Sequence, residues 1–273
     1  MAARDPHRFV NELEDAAVER LIARLESRAE DAVFTRLFDK YAARLGLPEL
    51  ARILEVGCGT GAVLRFLTGR DDFFGKVYGV DQCRPFIDAA ARFAQDANVG
   101  DRVDFRVGDA HNLDFPDGMF DAAIAHTLIS HVTEPTAVLR EMARVVRPGG
   151  TVVIFDGDYA SLTYAFPDHE FGHQMDVALA TASFNNPRIM RDLPRLLPDL
   201  GLALTAAWGD AVVEIGNGSY FRSFAETYLP YVTKAGLVAD DAAQNWLKAQ
   251  RQAMEDGTFF AACTYYTYLA RRV

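Results

Sequence analysis

The run Ile53-Leu54-Glu55-Val56-Gly57-Cys58-Gly59-Thr60-Gly61 restricts the possible folds of this chain more than any other stretch. Apolar residues lead into one carboxylate, and three glycines then alternate with small residues. Such a run predicts a strand over 53–56, a sharp turn, and a helix opening at Ala62. The turn requires glycine because it combines unusual backbone angles with close approach of a ligand. The helix start behind it presents unpaired N–H groups to negative or polar atoms.

Downstream the pattern alternates. Strands are expected over 53–56, 77–80, 103–107, 120–125 and 151–155, with helices over 62–67, 85–97 and 136–146. Pro148-Gly149-Gly150 is expected to turn the chain before the last of these strands. Alternation of this kind predicts an α/β fold, a Rossmann-like doubly wound and mostly parallel sheet with helices on both faces. Ligands of such sheets bind beyond the carboxyl ends of the strands. Ahead of the core, apolar residues at helical spacing (Val10, Leu13, Val18, Leu21, Leu25, then Phe34, Leu37, Phe38, Tyr41) predict helix over about 9–45. After Asp156 the regularity breaks. The expected organisation is an N-terminal helical region at 1–50, a cofactor-binding core at 51–160, a helical lid insertion at 161–200 and a core strand, single or paired, at 201–216. A second helical lid follows at 217–256 and a closing strand at 257–273.

The 273 residues carry a net charge of −10, which disfavours nucleic acid and anionic lipid as partners. No apolar run is long enough for a bilayer, and the first residues lack the apolar stretch of a secretory signal. The chain is therefore read as cytoplasmic, with no membrane span. Cys58, Cys83 and Cys263 are far apart and form no CxxC pair, so neither a disulfide framework nor a metal site is expected. Cys58 reads as a small residue in the glycine loop.

Asp81 follows the second strand, about 20 residues beyond the glycine loop, where a carboxylate accepts both hydroxyls of a ribose. The alternative role for Asp81 is capping the next helix. Gln82 and Phe86 are positioned to flank an adenine. Asp109 and Ala110 follow the third strand, where a carboxylate accepts from an adenine amino group or simply closes a turn. Glu55, Asp81 and Asp109 thus occupy three successive strand ends. That edge suits a cofactor with hydrogen-bond donors and a cationic end, and suits a diphosphate poorly. Gly57-x-Gly59-x-x-Ala62 also satisfies the dinucleotide pattern of an NAD(P)-dependent oxidoreductase. That rival leaves Glu55 unexplained, because a carboxylate there repels a pyrophosphate.

Together with Gly79-Val80-Asp81, Gly108-Asp109-Ala110, the segment from Leu113 to Asp121 and Arg144-Val-Val-Arg-Pro-Gly-Gly150, the glycine run resembles the class I S-adenosylmethionine-dependent methyltransferases. The likeness is to their small-molecule branch, which includes the ubiquinone and menaquinone enzymes, and it covers about 50–160. The resemblance implies S-adenosylmethionine as cofactor and S-adenosylhomocysteine as product. By it, Glu55, Gly57, Cys58, Gly59, Thr60 and Gly61 meet the methionine part. Asp81 takes the ribose, Gln82, Phe86, Asp109 and Ala110 surround the adenine, and His126 touches the cofactor. An N-terminal helix would close over it, with Arg36 or Tyr41 reaching the carboxylate. For Arg36, solvation or a surface ion pair is the competing reading. A binder of the same fold that transfers no methyl is a further alternative, since fold does not fix function.

Methyl transfer from a sulfonium is an in-line displacement that rests on positioning and desolvation. A general base is needed only where the nucleophile must lose a proton. The candidates are His126, His131, Tyr164, His169 and His173, with Asp156 and Asp158 beside them. His126 and His131, five apart, would diverge on a helix, and for His131 a hydrogen-bonded structural role competes. His169 and His173 share a face if their helix reaches back that far. No metal is expected. Aromatics crowd the lid segments, so the expected acceptor is a small, apolar or aromatic molecule offering oxygen, nitrogen or carbon.

Overall fold

In the computed structural model, residues 5–7 and 10–273 are described; residues 1–4 and 8–9, the start of the expected N-terminal region, lie outside them. Seven strands form one sheet: β1 (Arg52–Val56), β2 (Lys76–Asp81), β3 (Val103–Val107), β4 (Phe120–His126), β5 (Val146–Tyr164), β6 (Leu202–Gly216) and β7 (Phe259–Arg272). Their order is β3-β2-β1-β4-β5-β7-β6. The first five run parallel, while β7 lies antiparallel between β5 and β6. This is the expected α/β sheet, closed by a C-terminal antiparallel strand.

The helices are α1 (Asp15–Glu30), α2 (Ala32–Ala42), α3 (Ala62–Thr68), α4 (Arg84–Asp96), α5 (Pro135–Val145), α6 (His169–Ser183), α7 (Leu193–Asp199), α8 (Tyr220–Lys234) and α9 (Asp240–Glu255). Successive strand side chains point to opposite faces. Ile53, Val77, Ile124, Val153 and Phe155 accordingly join one apolar cluster, with residues of α2, α6, α8 and α9. Leu54, Val56, Val80, Ala123 and Ile154 join the other, with residues of α5 and α7. Burying each large side chain of these clusters stabilises the fold by roughly 1.5–3 kcal/mol.

Three local expectations change. The N-terminal helix is broken: Asp31 ends α1 and caps α2, its carboxylate accepting from the Val33 N–H at 2.8 Å. Pro148-Gly149-Gly150 does not end an element but bulges out of β5, so that Phe120 pairs with Val146 and Ala122 with Thr151. Most consequentially, β5 runs on through Asp156 to Tyr164, where helix and loop were expected. Its partner for that extension is β7, with Gly157 opposite Tyr265 and Tyr164 opposite Ala261. The strand's length is set by a segment about a hundred residues away, which no local pattern reveals. Segment 201–216 is one long strand. No helix among the described residues is long and apolar enough to cross a membrane.

Candidate active site

The glycine loop is pinned from below. The N–H groups of Gly57 and Cys58 both donate to the Val80 carbonyl, at 2.7 and 3.0 Å, and the Gly59 N–H donates to Asp81 Oδ2 at 2.9 Å. Gly57 has φ +69°, and a Cβ there would lie 2.5 Å from the Leu128 side chain. Gly61, at φ +74°, opens α3 and would press a Cβ into the Phe105 ring. Both the left-handed angle and the close approach require glycine.

The loop forms one side of a large cavity at the carboxyl ends of the parallel strands, lined by Glu55, residues 57–60, Asp81, Gln82, Phe86, Asp109, Ala110 and His126. Every residue expected to meet the cofactor therefore borders one cavity, except Gly61, Arg36 and Tyr41. Glu55 is buried, and its Oε2 has no hydrogen-bond partner. Burial and the nearby Asp81 raise its carboxyl well above the usual range, opposed by Arg28 and Arg65. A buried carboxylate oxygen without a donor fits a ligand that brings a cation. Asp81 also accepts from the Cys83 N–H at 2.9 Å, an Asx-type turn ahead of α4. The N-cap itself is Cys83 and has no side-chain cap bond, so Asp81 holds the loop and this turn without capping the helix. Asp109 is largely exposed and accepts from the His111 N–H and Nδ1 at 2.9 and 2.7 Å, forming a turn at the cavity rim. Burial raises the Cys58 thiol well above its ordinary value, which makes it an inert packing residue.

The opposite side comes from helices and the N-terminal segment. Leu25, Arg24 and Arg28 of α1 face the cavity, with Leu25 over Gly59. Arg36 does not: it sits on the exposed face of α2, because the bend at Asp31 re-aims that helix. Tyr41 is buried behind the cavity and meets His126 Nδ1 through its hydroxyl at 2.9 Å. Phe184, Tyr220, Phe224 and Tyr228 supply an aromatic wall together with Tyr159 of β5.

His126 and His131 both line the cavity, and the segment between them is not helical. Thr127 there has φ +56°, a strained angle for a β-branched residue. Burial and Arg28 hold His126 well below the ordinary histidine value. His131 differs. Its Nδ1 lies 2.7 Å from Asp5 Oδ2, and its Nε2 makes no hydrogen bond to a described residue. Burial depresses its basicity, but the charge and hydrogen bond of Asp5 outweigh this, and the net shift is upward. The His7 ring lies 4.7 Å from that of His131, tilted by 49°, and His7 meets the Tyr228 hydroxyl at 2.9 Å. Asp5, His7, Arg24 and Arg28 were not anticipated. Their segment carries no motif, and charged residues beside an apolar helical stripe read as solvated.

The remaining candidates lie elsewhere. The Tyr164 hydroxyl donates to the Phe221 carbonyl at 2.9 Å, outside the cavity. His169 and His173 do lie on one helix, α6, but both are exposed to solvent and away from the cavity. Asp156 accepts from Ser130 N and Oγ and from Gly157 N, tying the His131 loop to β5. Asp158 is paired with Arg191 at 2.7 Å. Among the described residues no group of three His, Cys, Asp or Glu side chains is placed to hold a metal ion.

The methyltransferase domain family matches residues 54–154, the stretch that carries the glycine loop and all three acidic strand ends. Residues 54–154 are a class I methyltransferase domain. An uncharacterized 37.1 kDa protein in transposon TN4556 of Streptomyces fradiae is 31% identical over 229 residues, 80% of this chain and 61% of that protein. The 27-O-demethylrifamycin SV methyltransferase of Amycolatopsis mediterranei is 36% identical over 132 residues, 48% of this chain and 47% of the enzyme. The chain thus spans between about half and three-fifths of these relatives. Geranyl diphosphate C-methyltransferase of Streptomyces coelicolor A3(2), solved with Mg2+, geranyl diphosphate and S-adenosylhomocysteine, shares the fold at 19% identity. Its TM-score is 0.56 over 88% of this chain and 78% of that one. The chain thus shares its overall fold with solved methyltransferases, and the oxidoreductase alternative is not favoured.

Proposed function

We propose that this chain transfers the methyl group of S-adenosylmethionine to a hydroxyl of a small aromatic molecule, with His131 accepting the hydroxyl proton. One observation carries the choice of oxygen. A buried imidazole lines the cavity, a carboxylate holds its Nδ1, and its Nε2 has no hydrogen bond to a described residue. An Nδ1–H directed at Asp5 leaves Nε2 as the acceptor, the tautomer a general base requires.

The cofactor supplies an electrophilic methyl on a sulfonium. The chain's residues bind and orient. Glu55, buried with an unpartnered oxygen, takes the amino group, and Arg28 replaces Arg36 as the partner of the carboxylate. Asp81 takes the ribose hydroxyls while its backbone bonds keep the loop closed. Asp109, Ala110, Gln82 and Phe86 border the adenine. Tyr159, Phe184 and Phe224 wall the acceptor and exclude water, the three near-parallel rings forming one cluster. Exclusion of water strengthens the electrostatic contacts and leaves the acceptor oxygen as the available nucleophile.

Calorimetric titration with S-adenosylhomocysteine, NAD and NADP tests the cofactor. Only the first is expected to bind, and Asp81→Ala is expected to weaken it at least tenfold, since hydrogen bonds to a charged group contribute about 1.5–3 kcal/mol each. A screen of phenols, amines and carbon acids with methyl-labelled S-adenosylmethionine then tests the acceptor. Labelling of hydroxyls supports the reading, whereas labelling confined to amines or carbon removes the role given to His131.

A further inference from the structure

Two guanidinium groups project into a cavity whose cofactor side holds one expected anion. Arg24 and Arg28 are one turn apart on α1 and share its inner face. Neither forms an ion pair with a described residue, although the chain carries ten more acids than bases. Arg24 rests its guanidinium on three rings, 5.4 Å from Tyr220, 5.4 Å from Phe224 and 5.2 Å from Tyr228, donates to Ser223 Oγ at 2.8 Å and also meets the Tyr228 hydroxyl. Arg28 lies 5.8 Å from the Phe34 ring and has no hydrogen-bond partner among the described residues. The nearest acids on their outer side are occupied or solvated. Asp31 caps α2, and Glu30 is exposed. A second hollow, lined by Ser27, Glu30, Asp31, Ser219 and Ser223, opens on the far side of the same two arginines, so the pair forms a wall between two spaces.

The two arginines are placed differently along the cavity. Arg24 rests on the rings of the aromatic wall. Arg28 lies beside Phe34, and its charge reaches Glu55, Tyr41 and His126 at the strand ends as well as Tyr220 and Tyr228. A cofactor carboxylate satisfies Arg28 and leaves Arg24 without an anion. A partly buried guanidinium held by ring faces and two hydroxyls, with no carboxylate, retains donors of its fork for an anion. That fork matches a carboxylate or a phosphate in a two-point contact.

We propose that Arg24 is the anion-recognition residue of the acceptor site, and that the acceptor is an aromatic molecule carrying a carboxylate or phosphate group. The inference rests on the methyltransferase reading for the word acceptor, but the anion site stands on the arginine geometry alone. The aromatic wall receives the ring, and Arg24, with Ser223 beside it, receives the charged end. The hollow behind the arginines leaves room for whatever extends beyond that group.

The test compares acids with uncharged isosteres. Binding of 4-hydroxybenzoate, 4-hydroxyphenylacetate, phenyl phosphate and 4-hydroxybenzamide is measured by calorimetry at low salt, on protein saturated with S-adenosylhomocysteine and on unliganded protein. At least one acid is expected to bind tenfold or more tightly than the amide, and which acid does so separates carboxylate from phosphate. In Arg24→Met that preference should vanish while S-adenosylhomocysteine still binds, and Arg24→Lys should keep part of it. Should Arg24→Met fail to fold, Ser223→Ala and Arg24→Lys carry the comparison. Equal binding of acids and amide, no binding of either, or an acid preference that survives Arg24→Met overturns the proposal. Failure of S-adenosylhomocysteine to bind sinks the cofactor reading instead, and the acid–amide comparison on unliganded protein still decides the anion site.

Discussion

The two sides of the cavity are built by opposite means. The strand-end side is acidic and backbone-fixed: Glu55, Asp81 and the glycine loop are held by hydrogen bonds between neighbouring strands. The helical side is basic and aromatic: Arg24, Arg28, Phe184, Tyr220, Phe224 and Tyr228 come from three distant segments and meet only through side-chain packing. A surface set by strand register tolerates little variation, whereas one set by side-chain packing is remodelled by substitution at loops and helix faces. On the proposed reading, the first side holds most of the cofactor, Arg28 reaches across to its carboxylate, and the aromatic residues of the second side face the acceptor.

His131 stands where the two sides meet, on the loop after β4 and bonded to Asp5 of the N-terminal segment, and its removal has the largest expected effect. His131→Ala is expected to lower kcat by about 10²–10⁴, the range for loss of a general base, with S-adenosylhomocysteine affinity unchanged. The pH profile gives the finer check. A base must be neutral to act, and Asp5 raises His131 above the ordinary histidine value. The rate should therefore climb with pH through a midpoint above that value. In Asp5→Asn the climb should move to lower pH while the plateau falls. Because the folded-state value is raised, the ion pair contributes stability below the ordinary histidine pKa, and that contribution is lost as pH rises through the raised one. A profile unmoved by Asp5→Asn would give the proton to another acceptor.

The strand-end side predicts a trade between stability and binding. Glu55 is a buried carboxyl raised well above its ordinary value, chiefly by burial. The native state then holds a proton that the unfolded state releases between the two values, so stability falls as pH rises through that window. Glu55→Gln removes this penalty, and the unliganded variant should melt at a higher temperature than the parent at neutral pH. It should also bind S-adenosylhomocysteine about a hundredfold more weakly, because breaking a buried charge pair costs roughly 3 kcal/mol. Thermal unfolding with and without ligand reads both at once. A variant that is destabilised and still binds would place the amino group elsewhere.

The same contrast explains what the amino-acid sequence reveals. Glu55, Gly57, Asp81 and Asp109 lie at the ends of short strands whose alternation is local, so one pass along the chain finds them. Asp31 was legible too, as a helix-capping residue inside a helical pattern, and the break it makes leaves Arg36 on an exposed face of α2, outside the cavity lining. The course of β5 beyond Asp156 was not legible, because β7 defines it from far along the chain. Arg24 and Arg28 were equally hidden. On a helix whose apolar stripe is already satisfied, nothing local distinguishes an arginine facing solvent from one facing a cavity.

The smallest expected effect tests that last point directly. Arg36→Ala should change S-adenosylhomocysteine affinity less than twofold, since its side chain lies on the exposed face of α2 and lines no part of the cavity. Arg28→Met should weaken the same ligand about tenfold, the effect of losing one charged hydrogen-bonding partner worth roughly 1.5 kcal/mol. Titrating both variants under one set of conditions discriminates two placements of α1 and α2. If Arg36 carries the effect and Arg28 does not, the bend at Asp31 must close further when ligand binds, and the helical side of the cavity would then be assembled by the cofactor rather than waiting for it.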